Sequence, residues 1–293
     1  MTEIIETLAG IGAQYDVLYC DLWGCLHDGR ALYPEAVAAL QGFRRGGGTV
    51  VLMTNAPRTR HAVERRLVRM GLPRDAWDVI VSSGDATQEA MLMGAAGRRL
   101  WHLGPEKDED LFTEIPEALA GQPPLLRVPF DEAEGIICTG PFDDCADTPE
   151  DYRGRFLSAK VRGLTMLSAN PDIVVDVGET RIYCAGALAQ LYADMGGAVM
   201  SFGKPHPPIY DLARRRLAAM GISYDNDQVL AVGDGILTDI AGAQAEGIDA
   251  LFVTGGLEAS RFGPDVQAPE AAPLLAWLTG QTRTPRYAMG RLR

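Results

Sequence analysis

Short apolar runs that close on a polar residue or a glycine turn alternate along this chain with longer amphipathic stretches. "VLYC" (Val17–Cys20), "TVVLMTN", "WDVIVSSG", "QVLAVGDG" and "DALFVTGG" have strand length, and "PEAVAALQGFRR", "RHAVERRLVRMG" and "TDIAGAQAEG" have helical composition. Strands without a polar face, separated by helices, require a mainly parallel sheet covered on both sides. Pro34 suits the first turn of one helix and Gly71 the end of another. The rhythm repeats in the middle of the chain. There "RRLWHLG", "EGIICTG", "LTMLSAN" and "DIVVDVG" read as strands, and "PEDYRGRFLSAKVRG" and "AGALAQLYADMGG" as helices. This span, 86–200, is long enough for a unit of its own. The acidic, proline-containing segments "GPEKDEDLFTEIPEALAGQPP" and "GPFDDCADTPED" read as solvated connections, and the basic "RTPRYAMGRL" near the end as a surface coil.

A chain of 293 residues, 47% of them hydrophobic, can bury a large core. Its net charge of −12 argues against nucleic acid or an anionic membrane as partner, but not against a phosphorylated small molecule met by local cations. No stretch approaches the ~20 apolar residues of a membrane span. The acidic start "MTEIIETLAG" lacks the basic opening of a signal peptide. Five cysteines, odd in number and without a CxxC pair, read as reduced thiols in a cytoplasmic protein.

Polar groups at strand ends carry the chemistry. Asp21 follows the first long strand, Thr54 and Asn55 end the second, and Asp234 ends another, with Asp239 five residues on. In open α/β sheets such positions face one crevice. Carboxylates gathered there need a cation, and oxygen ligands without histidine suggest Mg²⁺. Lys204, in "SFGKPHPPIY", could hold a phosphate or balance a nucleophilic carboxylate. Singly, each of these residues is ordinary turn or cap chemistry.

In that order the residues resemble the haloacid dehalogenase superfamily of Mg²⁺-dependent phosphohydrolases. "DLWGCLHDG", "TNAPR", "VSSGDAT", "SANPDIVVDVG", "FGKPHPPIYDLA" and "VGDGILTDIAGAQAEGIDALFVTGG" make the chain similar to the NagD-like branch. The resemblance implies an α/β fold: a Rossmann-like core with a parallel sheet from 1–85 and 201–293, and an inserted α/β type IIA cap from 86–200. It implies that Asp21 is the nucleophile, that Thr54, Asn55, Ala56 and Lys204 hold the phosphoryl group, and that an aspartyl-phosphate forms. Mg²⁺ would be held by Asp21, the Trp23 carbonyl, Asp234 and Asp239. Asn170, Asp172 and Asp176 of the cap would contact a small phosphorylated substrate. Assembly as a homodimer is compatible with this reading.

One residue departs from the pattern. Two positions after the nucleophile the superfamily's phosphatases carry an aspartate that protonates the leaving oxygen, and here Trp23 stands instead. An indole N–H does not titrate. Loss of general acid help costs ~10²–10⁴ in rate. Three readings remain open: His27 or Asp28 supplies the proton, the leaving group is acidic enough to need none, or the chain binds a phosphorylated ligand and hydrolyses it poorly. A metal-free dehalogenase also lacks this aspartate, but leaves Asp234 and Asp239 without a role. Trp23 leads to the expectation that rate depends steeply on leaving-group pKa. The run Asp143, Asp144, Asp147 lacks the spacing of a calcium loop.

Overall fold

The computed structural model describes residues 2–177 and 180–293. In chain order the strands are β1 (Glu3–Ile4), β2 (Val17–Cys20), β3 (Thr49–Thr54), β4 (Val79–Ser82), β5 (Arg99–Leu103), β6 (Leu126–Arg127), β7 (Gly135–Cys138), β8 (Thr165–Ser168), β9 (Val174–Val177), β10 (Thr180–Tyr183), β11 (Ala198–Ser201), β12 (Val229–Gly233), β13 (Asp249–Val253) and β14 (Tyr287–Met289). Seven form one sheet in the order β1-β14-β13-β12-β2-β3-β4, and five form another in the order β11-β8-β7-β5-β6. Every neighbouring pair in both sheets is parallel. Strands β9 and β10 make a separate antiparallel hairpin.

Alternation along the strands splits the larger sheet's core in two. Val17, Tyr19, Val51 and Met53 face the helix Pro207–Ala219, which contributes Ile209, Leu212 and Leu217. Leu18, Cys20, Val50 and Leu52 face the helices Pro34–Arg45 and Arg60–Arg69 through Leu40, Phe43, Val63 and Leu67. Each such side chain contributes roughly 1.5–3 kcal/mol when fully buried. The smaller sheet is also covered twice. Trp101, Ile136 and Met166 pack with Phe156 and Tyr192, while Leu100, Ile137 and Leu167 join the apolar layer that contains Ala86 and Met91. The helix Ser83–Leu92 therefore lies between the two sheets, and the expected limit at residue 86 falls within it. The other limit, at residue 200, falls within β11.

Two sequence expectations are corrected. The tail is not a surface coil: Tyr287, Ala288 and Met289 form a buried strand between β1 and β13, and the Leu8 N–H donates to the Arg293 carbonyl. A slot inside the sheet needs an apolar strand, and "YAM" supplies it despite its basic flanks. Nor is the segment after Gly104 wholly solvated. Asp108, Asp110 and Leu111 are buried, because Arg58 Nε and the Thr59 N–H donate to the Asp110 carboxylate at 2.5 and 2.7 Å. The 143–147 run forms a turn, with the Asp143 carboxylate accepting from the Cys145 N–H and Asp147 from the Tyr152 hydroxyl. Among the described residues no helix is long and apolar enough to cross a membrane.

Candidate active site

Strands β2 and β12 are neighbours, yet the chain leaves them in opposite directions across the sheet, β2 toward β3 and β12 toward β13. Such a switch point opens a crevice at the carboxyl ends of the strands. Asp21 and Asp234 stand there, one residue beyond β2 and β12 respectively. The Asp21 N–H donates to the Val232 carbonyl at 2.9 Å, which fixes where its side chain starts. Lys204 follows β11 and reaches the same point. Its Nζ donates to Asp21 Oδ1 and Asp239 Oδ1, both at 2.6 Å, and to the Met53 carbonyl at 3.1 Å. All three ammonium protons are thus engaged.

Buried charge sets the electrostatics. Asp21, Asp234, Asp239 and Lys204 are all at most 8% exposed. Burial pushes the Asp21 carboxyl up, Lys204 draws it down, and Asp239 pushes it up again. Burial, then Asp21 and Asp239, push the Asp234 carboxyl well above the usual carboxylate range. Three carboxylates against one ammonium leave two negative charges, which a divalent cation would balance. The donor set fits a hard cation. Among the described residues, Asp21 Oδ2, Asp234 Oδ1 and the Trp23 carbonyl accept no hydrogen bond, and oxygen atoms of Asp21 and Asp234 lie within 4.8 Å of one another. The Cys25 thiol shares that cluster, but burial and the nearby carboxylates push it well up, so it stays protonated. Both Asp239 oxygens have partners, Lys204 Nζ and the Gly235 N–H, so its first task is to hold the lysine. Glycines make room: a Cβ on Gly24 or Gly256 would fall 2.0 or 1.9 Å from Asp234 Oδ2.

The Thr54 hydroxyl accepts from the Ala56 N–H at 3.1 Å, which leaves its proton free to donate. Asn55 works through its side chain as well as its backbone. Its Oδ1 accepts from the Lys204 N–H at 2.7 Å, and its Nδ2 donates to the Lys204 carbonyl at 3.0 Å and to Asp172 Oδ1 at 2.8 Å. Asn170 Oδ1 in turn accepts from the Asp172 N–H at 2.9 Å. Asp176 pairs with Arg181 across the β9–β10 hairpin at 2.7 Å.

Two cavities meet at Asp21, Trp23 and Asp172. One of about 540 Å³ is also lined by Thr54, Asn55 and Asn170. The other, about 460 Å³, is lined by Lys204, Asp176, Asp234 and Asp239. Every expected site residue thus lines one of the two cavities: Ala56 joins Thr54, Asn55 and Asn170 in the first, and Asp21, Trp23 and Asp172 line both. Sequence reasoning missed Arg30, Arg58, Arg66 and Lys107 around the first cavity and Arg291 in the second. Arg58 was in view within "TNAPR"; Arg291 was hidden in the misread tail. Trp23 forms part of both walls. Its ring meets His27 edge-on at 5.1 Å, and the Arg66 guanidinium lies 5.0 Å from its centre.

Comparison with known proteins agrees with this geometry. Residues 18–115 match a haloacid dehalogenase-like hydrolase family model, and residues 201–274 match a second, HAD-hydrolase-like model. A structure of a haloacid dehalogenase-like family hydrolase from Brucella suis 1330 is 36% identical, with a TM-score of 0.84 over 99% of this chain and 100% of that one. The D-glycerol 3-phosphate phosphatase of Mycobacterium tuberculosis is 27% identical over 257 residues, 86% of this chain and 67% of that protein. A glycerol phosphate phosphatase structure from that organism, in complex with magnesium, shares the fold at 24% identity and a TM-score of 0.67, over 97% of this chain and 77% of that one. The chain belongs to the haloacid dehalogenase-like hydrolase family.

Proposed function

We propose that the protein is a Mg²⁺-dependent phosphohydrolase that acts on a small phosphorylated metabolite through an aspartyl-phosphate at Asp21. The observation that carries this reading is the Asp21 carboxylate itself. One oxygen is held by Lys204, the other is free beside Asp234, and the residue opens onto two cavities. A buried aspartate with a fixed counter-charge and a substrate-sized space is built to attack, not only to bind.

In the reaction an Asp21 oxygen bonds to phosphorus as the ester P–O bond breaks, and the departing oxygen takes a proton. Water then attacks phosphorus, the bond to Asp21 breaks, and inorganic phosphate leaves. Thr54 Oγ1 and the Asn55 N–H donate to the phosphoryl oxygens, while Lys204 holds Asp21 in line and offsets its charge. Such fixed donors supply most of what phosphoryl transfer needs. Asp21, the Trp23 carbonyl and Asp234 would hold Mg²⁺, with Asp239 supporting through Lys204. When bound, the ion neutralises charge on the transferring phosphoryl group.

The likeness to a glycerol phosphate phosphatase of Mycobacterium tuberculosis, and to a structure of such an enzyme from that organism in complex with magnesium, supports this reading. We further propose that 1–85 and 201–293 act as the core and 86–200 as a cap whose Asn170, Asp172 and Asp176 meet the substrate. A screen of phosphate esters and anhydrides with Mg²⁺ tests the function. Turnover that disappears with chelator and in Asp234→Ala is expected. Full activity in chelator refutes the assignment, and no turnover across the screen leaves a phosphate-binding protein.

A further inference from the structure

Trp23 removes the carboxyl that relatives place beside the leaving oxygen, yet a carboxyl still stands at that junction. Asp172 comes from the segment between β8 and β9, far from Asp21 in sequence, and lines both cavities together with Asp21 and Trp23. It is held firmly. Its N–H donates to Asn170 Oδ1, its carbonyl accepts from the Gly186 N–H, and its Oδ1 accepts from Asn55 Nδ2. The orientation of that amide is settled, because Asn55 Oδ1 must accept from the Lys204 N–H. The same asparagine thus bonds the backbone of the lysine that holds Asp21. Asp172 Oδ2 accepts no hydrogen bond among the described residues and is not among the sealed, unpartnered polar atoms. A rigid carboxyl with one bonded oxygen and one free in the cleft has the form of an acid–base catalyst.

The alternatives on the neighbouring turn are less suited. His27 is buried, its Nδ1 accepts from the Gly29 N–H, and burial lowers its pKa to about 4, so it is a neutral imidazole at pH 7. Asp28 accepts from the N–H groups of Ala31 and Arg30, which hold its carboxyl below the usual range. Burial holds Asp172 in the opposite direction, at about 6, against the pull of Asn55 and Lys204 and with Asp239 adding to the rise. The other ionisable groups near it are Asp21 and the protonated Cys184 thiol.

We propose that Asp172 is the catalytic acid and base of this hydrolase, standing in from the cap for the carboxyl that Trp23 displaces. Its proton goes to the ester oxygen as the P–O bond breaks and Asp21 is phosphorylated. The resulting carboxylate takes a proton from the water that attacks the aspartyl-phosphate. The ledger closes with Asp172 protonated, one alcohol and one inorganic phosphate. This inference rests on the phosphohydrolase reading and replaces the steep leaving-group dependence expected from Trp23 alone.

The test is the first-turnover release of alcohol or phenol from a series of alkyl and aryl phosphates with Mg²⁺. Wild type should show a shallow dependence on leaving-group pKa; a steep one overturns the proposal without any variant. Asp172→Asn keeps an oxygen for Asn55 Nδ2 to reach. It should lose ~10²–10⁴-fold with alkyl phosphates but only about tenfold or less with aryl phosphates, making the dependence steep. Equal losses across the series would make Asp172 a positioning residue, and no loss would make it a bystander; either overturns the proposal. Retained aryl phosphate turnover shows that the variant is folded. Wild-type protein that cleaves no ester sinks the phosphohydrolase reading as well, a different pattern from the failure of Asp172 alone.

Discussion

At the scale of the residue, Trp23 and its neighbours show how much a single substitution rearranges. The Trp23 carbonyl, which accepts no hydrogen bond among the described residues, stays open to the role expected of it. The departure itself was legible in "DLWG". Its compensation was not legible, since Asp172 is brought to Asp21 only by the closing of two sheets. Asp172 was a candidate substrate contact from "SANPD", and the bond from Asn55 favours the cleft. His27 yields a direct check. Its folded-state pKa is lowered from 6.5 to about 4 by burial first and by Arg66 next. The imidazole should therefore stay neutral as pH falls through 6.5 and gain its proton only near 4. Its stabilising effect is present above pH 6.5 and is lost as pH falls toward 4. An NMR titration of the ring protons that moves near pH 6.5 would show His27 to be solvated and charged when it protonates.

At the scale of the element, the long parallel strands and the helices between them follow from composition, because strands buried on both faces must be apolar throughout. Strand β14 does not follow. Three apolar residues between "RTPR" and "GRLR" have no local signal, and their role comes from the slot between β1 and β13. Truncating Met289 to Ala should cost about 2–5 kcal/mol of stability, as for other large core side chains. Denaturant unfolding measures this, and a change below roughly 0.5 kcal/mol, the range of surface substitutions, would return the tail to the surface. The turns after the strands carry a second constraint that motif reading left implicit. Gly256 lies against Asp234, and Gly256→Ala would place its Cβ 2.4 Å from the Asp234 Cβ. The carboxylate must shift, so Mg²⁺ affinity measured by calorimetry should fall by ~10–100-fold, the usual cost of disturbing a ligand's support. Unchanged affinity would place the metal away from Asp234.

At the scale of the whole molecule, one sheet is drawn from both ends of the chain and a second from its middle, and both blocks of strand and helix rhythm were visible in the sequence. The joint was not, because the helix Ser83–Leu92 lies in one apolar layer shared by the two sheets and belongs to no single rhythm. The cleft was out of reach for the same reason: it is made where β2 and β12 diverge and where the segment before β9 descends on Asn55. All of it converges on Asp21, the residue proposed to take the phosphoryl group. The most direct measurement is to quench wild-type protein during turnover of a phosphorus-labelled aryl phosphate with Mg²⁺ and map the label. Label on the peptide containing Asp21, absent in chelator and in Asp21→Ala, is the expected result. Continued turnover by Asp21→Ala, or label on any other residue, would contradict the account.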